Sequence, residues 1–454
     1  MITIVESQER VAKLWGKQAI KPEETYRLMK YVLRVEHEGH TALHNVMTGQ
    51  LILLNDEEIR LLDALPAKYS PEMDALAADH YLVPEGYDEY KQLKSLRTIL
   101  RKLTPPIDGI IHFNIFPTTA CNARCYYCFE QGAEIVTMTE QTAEDTVRFI
   151  ADNCPADKKV YITWFGGEPT VAAHRIDQIC RGLQREGVDY TTSLLYTNGY
   201  LFDEEMADKA RDLWRVQKTQ IVIDGTEGLY NRIKNYVNPQ DNPYQRVMRN
   251  IGLLLDRGIR VVVRMNVDLI NRDSFEPVAK ELITRFPDKK KLSFWARPVI
   301  GDYSKGDPEK AHADEAWLEN CASLLNNVSE SYGLATYTLA LPAMNTHSCM
   351  SGCNNGIVIT PSGALVKCPE HFTKADEVGN LIEGLTNNDR IASWHEIAYA
   401  KMCEECAFAP ECVRLTLCSG TERCGRAKLN KRFIRAIHKT ISAFINERRN
   451  NNGI

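Results

Sequence analysis

Cys121-Asn122-Ala123-Arg124-Cys125-Tyr126-Tyr127-Cys128 is the stretch from which the rest of this chain can be read. Its three cysteines are spaced C-x3-C-x2-C, and the apolar run over residues 110–117 before them reads as a buried strand. The thiols therefore fall on one loop just past a strand's carboxyl end, where α/β folds gather their ligands. Thiolates are the usual ligands of iron–sulfur clusters, and a four-iron cluster takes four of them. Three on one short loop leave one iron without a protein ligand. An open metal position is what a catalytic site keeps. A zinc site, or three buried thiols, is the other reading of the same residues.

Outward from this loop, strand and helix patterns alternate as far as residue 299. The strand candidates are residues 110–116, 160–165, 193–196, 220–223, 261–267 and 292–296, with amphipathic patterns such as 142–151, 175–185, 204–213, 245–256 and 275–285 between them. Such alternation implies a parallel sheet. Six units are too few for a closed eight-unit barrel. Three polar stretches stand where strands end: Gly166-Gly167-Glu168-Pro169, Thr197-Asn198-Gly199 and Asp224-Gly225. The paired glycines let backbone approach a ligand closely; an ordinary Gly-Pro turn is the plainer alternative. Arg264 and Asn266, two apart on the fifth strand, share one face, either lumenal or outward.

With these stretches in place the chain resembles the radical S-adenosylmethionine (SAM) enzymes, whose signature is C-x3-C-x-aromatic-C after a first strand. The resemblance implies an α/β fold built on a partial, TIM-like (β/α)6 barrel, open on one side to a large substrate. It implies a 4Fe-4S cluster on Cys121, Cys125 and Cys128 whose open iron binds the amine and carboxylate of SAM. An electron from that cluster would cleave SAM to methionine and a 5′-deoxyadenosyl radical, which takes a hydrogen atom from substrate. The hard chemistry belongs to the cofactor, and the protein supplies position and exclusion of water. To SAM the resemblance assigns Tyr127, the loop of Gly166, Gly167, Glu168 and Pro169, the turn of Thr197 and Asn198, Asp224, and Arg264. Glu168 would be the charge partner of the SAM amino group. Relatives often carry a serine two residues before the aspartate, where this chain has Val222. Tyr230-Asn231-Arg232 resembles the segment after that turn, which ends in arginine.

Eight more cysteines crowd between residues 349 and 424. Eight thiolates are the complement of two four-cysteine clusters. Cys353, Gly363 and Cys368 form C-x9-G-x4-C, and Cys403, Cys406 and Cys412 form C-x2-C-x5-C. Residues 358–366 between them read as a hairpin with a Pro-Ser-Gly turn. Both spacings resemble the SPASM extension of radical SAM enzymes, which carries two auxiliary 4Fe-4S clusters. The family pattern then gives Cys349, Cys353, Cys368 and Cys418 to the first and Cys403, Cys406, Cys412 and Cys424 to the second. Five residues separate Cys412 from Cys418 where the family usually has three, so the first cluster is either closed by Cys418 or open to a substrate thiol. A zinc ribbon is the alternative metal reading. Cys154, Cys180 and Cys321 sit in or beside helical patterns and receive no role.

The remaining features bound the class. Hydrophobic residues are 44% of the chain and charged residues 25%, with net charge −5. There is no basic block of the kind that binds nucleic acid and no apolar run of membrane-spanning length. Residues 1–10 lack a signal-peptide core. Fourteen cysteines in a chain expected in the cytoplasm point to metal rather than disulfides. Before the cluster loop, residues 31–36, 43–46 and 51–54 read as strands and residues 55–65, 72–78 and 87–103 as helices. This order is similar to the winged-helix-like modules with which peptide-modifying enzymes hold the leader of a precursor peptide, the leader adding a strand to an open sheet edge. A cap over one end of the barrel is the alternative.

The expected organisation is an N-terminal peptide-recognition (RRE-like) module over 1–105, the barrel over 106–310, a connecting helix over 311–345, the SPASM domain over 346–430, and a basic amphipathic helix over 431–454 packed on the barrel. The expected activity is hydrogen abstraction from a ribosomally made precursor peptide and closure of a thioether or carbon–carbon crosslink. A reductant such as flavodoxin or ferredoxin would serve it. The alternatives are an anaerobic sulfatase-maturing, formylglycine-forming enzyme and a non-enzymatic iron–sulfur or zinc redox or scaffold protein.

Overall fold

A computed structural model describes residues 3–6, 9–103, 109–299, 315–334, 340–347, 349–418 and 426–451. The chain divides into two compact units: residues 1–105, 338–349 and 395–454 form one, and residues 106–337 and 350–394 the other.

In the first unit, β1 (Thr3–Glu6) and α1 (Glu9–Trp15) precede β2 (Thr25–Leu28), β3 (Val32–His37), β4 (His40–Asn45) and β5 (Gln50–Leu53). α2 (Asp56–Asp63), β6 (Ala67–Lys68), α3 (Asp74–Ala78), β7 (Leu82–Pro84) and α4 (Glu89–Leu103) follow. α2 starts where its sequence says it should. Asn55 accepts the N–H groups of Glu57 and Glu58 while Glu58 returns to the Asn55 N–H, satisfying donors a helix start otherwise leaves open. The three strands expected from the sequence form a meander, but β1 joins it, giving an antiparallel sheet in the order β1-β5-β4-β3. A second sheet, β6-β2-β7, was not legible in the sequence.

The second unit carries β8 (His112–Ile115), α5 (Glu140–Asn153), β9 (Val160–Trp164), α6 (Ala173–Arg185), β10 (Tyr190–Thr197), α7 (Glu204–Asp212) and β11 (Lys218–Val222). It continues with α8 (Glu227–Lys234), α9 (Pro243–Asp256), β12 (Arg260–Val267), α10 (Phe275–Arg285), β13 (Leu292–Pro298) and α11 (Glu315–Ser331). Strands β8 to β13 lie side by side in chain order and pair in parallel. β8 and β13 are not neighbours, so this is the open (β/α)6 barrel. Its outward residues, among them Ile162, Trp164, Leu195, Ile221, Val263 and Phe294, share one buried core with the helices. Consequently the alternate residues of the same strands face the lumen. α11 is the sixth helix of the barrel rather than a connector: Ser329 donates to the Phe294 carbonyl, and Asn326 to that of Ala296. Residues 311–314 and 335–339 of the expected connecting helix lie outside the described residues.

β14 (Gly356–Ile359), β15 (Ala364–Val366), β16 (Glu377–Asn380) and β17 (Gly384–Leu385) complete this unit with α12 (Asn388–Ser393). The expected hairpin is present as β14 and β15, and β14 pairs in parallel with β8. The barrel sheet, the hairpin and β16 and β17 beyond it thus form one ten-stranded sheet.

α13 (Arg426–Asn451) belongs to the first unit and corrects an expectation. It packs not on the barrel but on the N-terminal sheet, where Ala436, Ile437, Ile441 and Ile445 meet Val35, Ala42 and Leu51. Among the described residues no helix is long and apolar enough to cross a membrane.

Candidate active site

The cysteine loop leaves β8 and is held against the loop that leaves β9. Gly166 has φ +112°, and a Cβ there would lie 2.3 Å from the Thr118 carbonyl; one on Gly167 would lie 2.4 Å from that of Thr119. No side chain fits. The absent methyl groups let the Gly167 and Glu168 N–H groups donate to the carbonyls of Thr118 and Ala120 at 3.2 and 2.9 Å. On the cysteine loop itself the Ala123 N–H points at the Cys121 sulfur, 3.4 Å away. The Cys125 sulfur faces the Lys234 carbonyl at 3.9 Å. Burial pushes the Cys121 thiol up to about 12, and the charges of Glu168, Cys125 and Cys128 add to the shift. Glu130, just beyond, is buried with neither carboxylate oxygen hydrogen-bonded among the described residues, and burial raises it to about 7.

Glu168 is 1% exposed and gathers the next loop. Its Oε1 accepts the Thr170 N–H and hydroxyl at 3.1 and 2.5 Å and the Thr197 hydroxyl at 2.8 Å; its Oε2 accepts the Asn198 N–H at 2.6 Å. A carboxylate offers about four lone-pair directions, so the protein itself supplies four donors to the residue expected to neutralise the SAM amine. Its Oε2, with one donor, keeps room for another. Asn198 in turn donates to Asn122 on the cysteine loop at 2.6 Å. Pro169 is buried and opens the short helical turn that follows.

Asp224, fully buried at the end of β11, is a second node. It accepts the Asn266 N–H at 3.0 Å and the Tyr127 hydroxyl, and it pairs with the Lys234 ammonium at 3.1 Å. Tyr126 reaches the other way, to Asp268 at 2.8 Å. Burial disfavours the charge on Lys234, but Asp224 and then Cys125 outweigh it and hold the ammonium above the ordinary lysine pKa. Lys234 was missed in the sequence. Arg232, the cation that the segment seemed to end on, is exposed on α8. The signal was there: Lys234 follows the buried Tyr230 by four positions and so shares its face of the helix. Arg264 and Asn266 face the lumen, because Val263 and Met265 between and beside them pack on the helices.

The site residues read from the sequence are thus brought to one end of the barrel in two bonded sets, Gly167, Glu168, Thr197 and Asn198 in one and Tyr127 and Asp224 in the other; Gly166 and Pro169 flank Gly167 and Glu168, and Arg264 lies opposite Val222 on the next strand. The remaining cysteines are placed as follows. None of the thirteen described cysteines is in a disulfide. Lys367, buried beside Cys368, donates to the carbonyls of Cys353 and Gly356 at 2.6 and 2.7 Å, which returns the end of the hairpin to Cys353. In the first unit burial raises the Cys412 thiol, and Cys403 and Cys406 add to the shift through their charge. Arg97, 1% exposed, fixes this loop by donating to the carbonyls of Asn345, Ala409 and Pro410 at 3.0, 2.9 and 2.7 Å. Cys349 and Cys418 are exposed, and Cys424 lies outside the described residues. Cys180 is buried in the barrel core, with Cys154 and Cys321 packed against that core.

Residues 115–282 match the model of the Radical SAM superfamily. That segment is a radical SAM domain. The solved structure of anSMEcpe with bound AdoMet and Cp18Cys peptide superposes with a TM-score of 0.56 at 17% identity, over 75% of this chain and all of that one. The Streptococcus suis SuiB structure bound to precursor peptide SuiA superposes at 0.50 and 12% identity, over 86% of this chain and 94% of that one. Likeness at such identity carries the fold. The Fe-coproporphyrin III synthase of Methanosarcina barkeri is 23% identical over 154 residues, 34% of this chain and 36% of that protein, so the match spans about a third of the relative's length. The match reaches from β8 to α10 and takes in the cysteine loop, so the domain is the one whose family uses SAM and a 4Fe-4S cluster. The cysteine loop fits that cluster in its donors, three thiols that interact through their charges. Among the described residues no three His, Cys, Asp or Glu side chains are drawn in to metal–ligand spacing, so the fit is one of chemistry and loop position.

Proposed function

We propose that the protein is a peptide maturase that takes a hydrogen atom from a ribosomally made precursor peptide and closes a thioether or carbon–carbon crosslink. The observation that carries the reading is the convergence of three strand-end loops on the cysteine loop through Glu168, Asn198 and Asp224, at the mouth of a barrel open on one side. Cys121, Cys125 and Cys128 hold the cluster. The chemistry supplied there when it is bound is one-electron cleavage of SAM. The chain's own residues position and shield: Tyr127, Gly166, Gly167, Glu168, Pro169, Thr197, Asn198 and Asp224 line the place for SAM. Glu168 locks the Thr197–Asn198 turn with two of its four accepted bonds and offers Oε2 to the amine.

Two auxiliary 4Fe-4S clusters complete the proposal, one on Cys349, Cys353, Cys368 and Cys418 and one on Cys403, Cys406, Cys412 and Cys424, either accepting the surplus electron or holding a substrate sulfur. A small reductant such as flavodoxin or ferredoxin feeds the site, and the N-terminal residues 1–105 engage the leader. The peptide-bound states of anSMEcpe and SuiB support a peptide substrate. The better superposition on anSMEcpe favours, as the second reading, formylglycine formation on a sulfatase. Mass spectrometry separates them. Incubation of a candidate precursor with reconstituted enzyme, SAM and reductant should give a mass loss of two hydrogens, with a crosslink that survives reduction. Formylglycine in a sulfatase peptide instead would replace the proposal with the second reading. Cys121, Cys125 and Cys128 changed together to Ala should abolish 5′-deoxyadenosine and remove about four of about twelve irons.

A further inference from the structure

The upper lumen of the barrel has two unlike walls. On one side Phe165 lies 5.2 Å from Phe116 and meets Tyr196 edge-on at 4.8 Å, ring centre to ring centre. On the other stand Arg264, Trp295 and Arg297. β12 and β13 run parallel with Arg264 opposite Trp295 and Asn266 opposite Arg297. Arg264 and Arg297 therefore sit diagonally on one face of adjacent strands.

Neither arginine has an anionic partner among the described residues. The guanidinium of Arg264 lies 5.6 Å over the Trp295 ring, and its Nε is buried without a hydrogen-bond partner. Asp224, the nearby buried carboxylate, is already engaged by Lys234, Tyr127 and Asn266. Burial, and then the charge of Arg297, pull the Arg264 pKa below its ordinary value. Two like charges brought together in a partly dehydrated wall are costly unless an anion joins them. The planar guanidinium fork matches a carboxylate.

We propose that Arg264 and Arg297 form a carboxylate-binding subsite for the substrate. The segment presented to the barrel then carries an aspartate, a glutamate or a chain-terminal carboxylate beside an apolar or aromatic side chain that packs on Phe165 and Tyr196. The inference rests on the peptide reading above and names the class of peptide. The methionyl carboxylate of SAM has the same chemistry and would account for Arg264 as first assigned. Lys234, bonded to Tyr127, is a second cation beside the cysteine loop, and a single SAM carboxylate does not explain a second arginine on β13.

Titration calorimetry on the anaerobically reconstituted enzyme separates the two sources. The probes are SAM, acetyl-Phe-Glu-Ala-amide, acetyl-Phe-Gln-Ala-amide, and acetyl-Ala-Phe with a free carboxyl end. We expect wild type to bind the glutamate or the free-acid peptide at least tenfold tighter than the glutamine peptide, as a charge-assisted pair requires. Arg264→Met and Arg297→Gln should each erase that preference while SAM affinity stays within about twofold. Absence of a carboxylate preference in wild type overturns the subsite, as does a preference that survives both variants. A tenfold loss of SAM affinity in Arg264→Met with the preference intact assigns the arginine to SAM and also overturns it. Should Arg264→Met lose its iron or its fold, Arg297→Gln, on an exposed residue, decides alone. Peptides that bind but are never altered in mass count against the maturase reading and leave the subsite standing.

Discussion

The Lys234 ammonium donates to the Tyr127 hydroxyl at 2.8 Å, tying the last residue of α8 to the aromatic that stands between the second and third cysteines. Both groups also engage Asp224, so a buried cation, a phenol and a carboxylate share one set of protons. Removing one partner of such a pair leaves a buried charge uncompensated, which costs about 3–5 kcal/mol. Lys234→Met should therefore lower the unfolding free energy read from urea titration by that amount and cut 5′-deoxyadenosine formation steeply. Lys234→Arg should retain most of the stability. A Met variant as stable as wild type would remove Lys234 from its structural role.

Gly167→Ala places a methyl carbon 2.4 Å from the Thr119 carbonyl and 2.5 Å from that of Ala120. Backbone, not a flexible side chain, is in the way, so the two loops must part. We expect loss of about four irons per chain and weakened SAM binding. Gly86→Ala, whose added carbon meets open space, should show neither effect. Full iron and wild-type SAM affinity in Gly167→Ala would show that the loops are not interlocked.

Arg97 offers a test far from SAM. Its guanidinium donates to four backbone carbonyls, that of Cys412 among them, and to the Tyr399 hydroxyl beside the Cys403–Cys406–Cys412 loop. Arg97→Met strands those buried acceptors at about 1–3 kcal/mol each. On the proposed complement of three clusters, iron should fall towards two clusters' worth, while SAM cleavage persists. Iron analysis with electron paramagnetic resonance of the reduced protein reads both.

The fold was legible where periodicity is strong, and Ile162, Trp164, Val263 and Phe294 show why. A strand buried against helices on one side reads as a clear alternation, so all six barrel strands were found within a few residues. β2, β6 and β7 were missed because two to four residues carry too little pattern. α13 was recognised, but an apolar stripe does not say which sheet it covers. The site was legible because Gly, Asn and Asp at strand ends have local reasons to be there. Lys234 and Arg297 were not, since their meaning depends on which carboxylates the fold brings near and which it withholds.

His44 in β4 supplies a pH signature. It is buried, with Nε2 2.6 Å from the Pro342 carbonyl, and burial pushes its pKa down to about 4. The unfolded chain, near 6.5, binds the proton more readily, so stability is complete above pH 6.5 and declines as pH falls toward 4. The loss should approach roughly 3 kcal/mol by the linkage of 1.36 kcal/mol per unit. His44→Gln keeps a donor for Pro342 without the titration. The difference in urea stability between wild type and variant should change with pH only between about 6.5 and 4; a pH-independent difference would refute the assignment.

The pairing of β8 with β14 has a consequence in time. His112 meets Gly356 across that pairing, more than two hundred residues further along the chain. At about 5–20 residues per second of synthesis, one edge of β8 stays bare for on the order of ten seconds to a minute after β9 has already claimed the other. A bare strand edge recruits other strands, and the loop that leaves β8 carries the cysteines of the cluster. Anaerobic expression with fewer chains made at once, at an unchanged elongation rate, should therefore raise the soluble yield more than added iron alone.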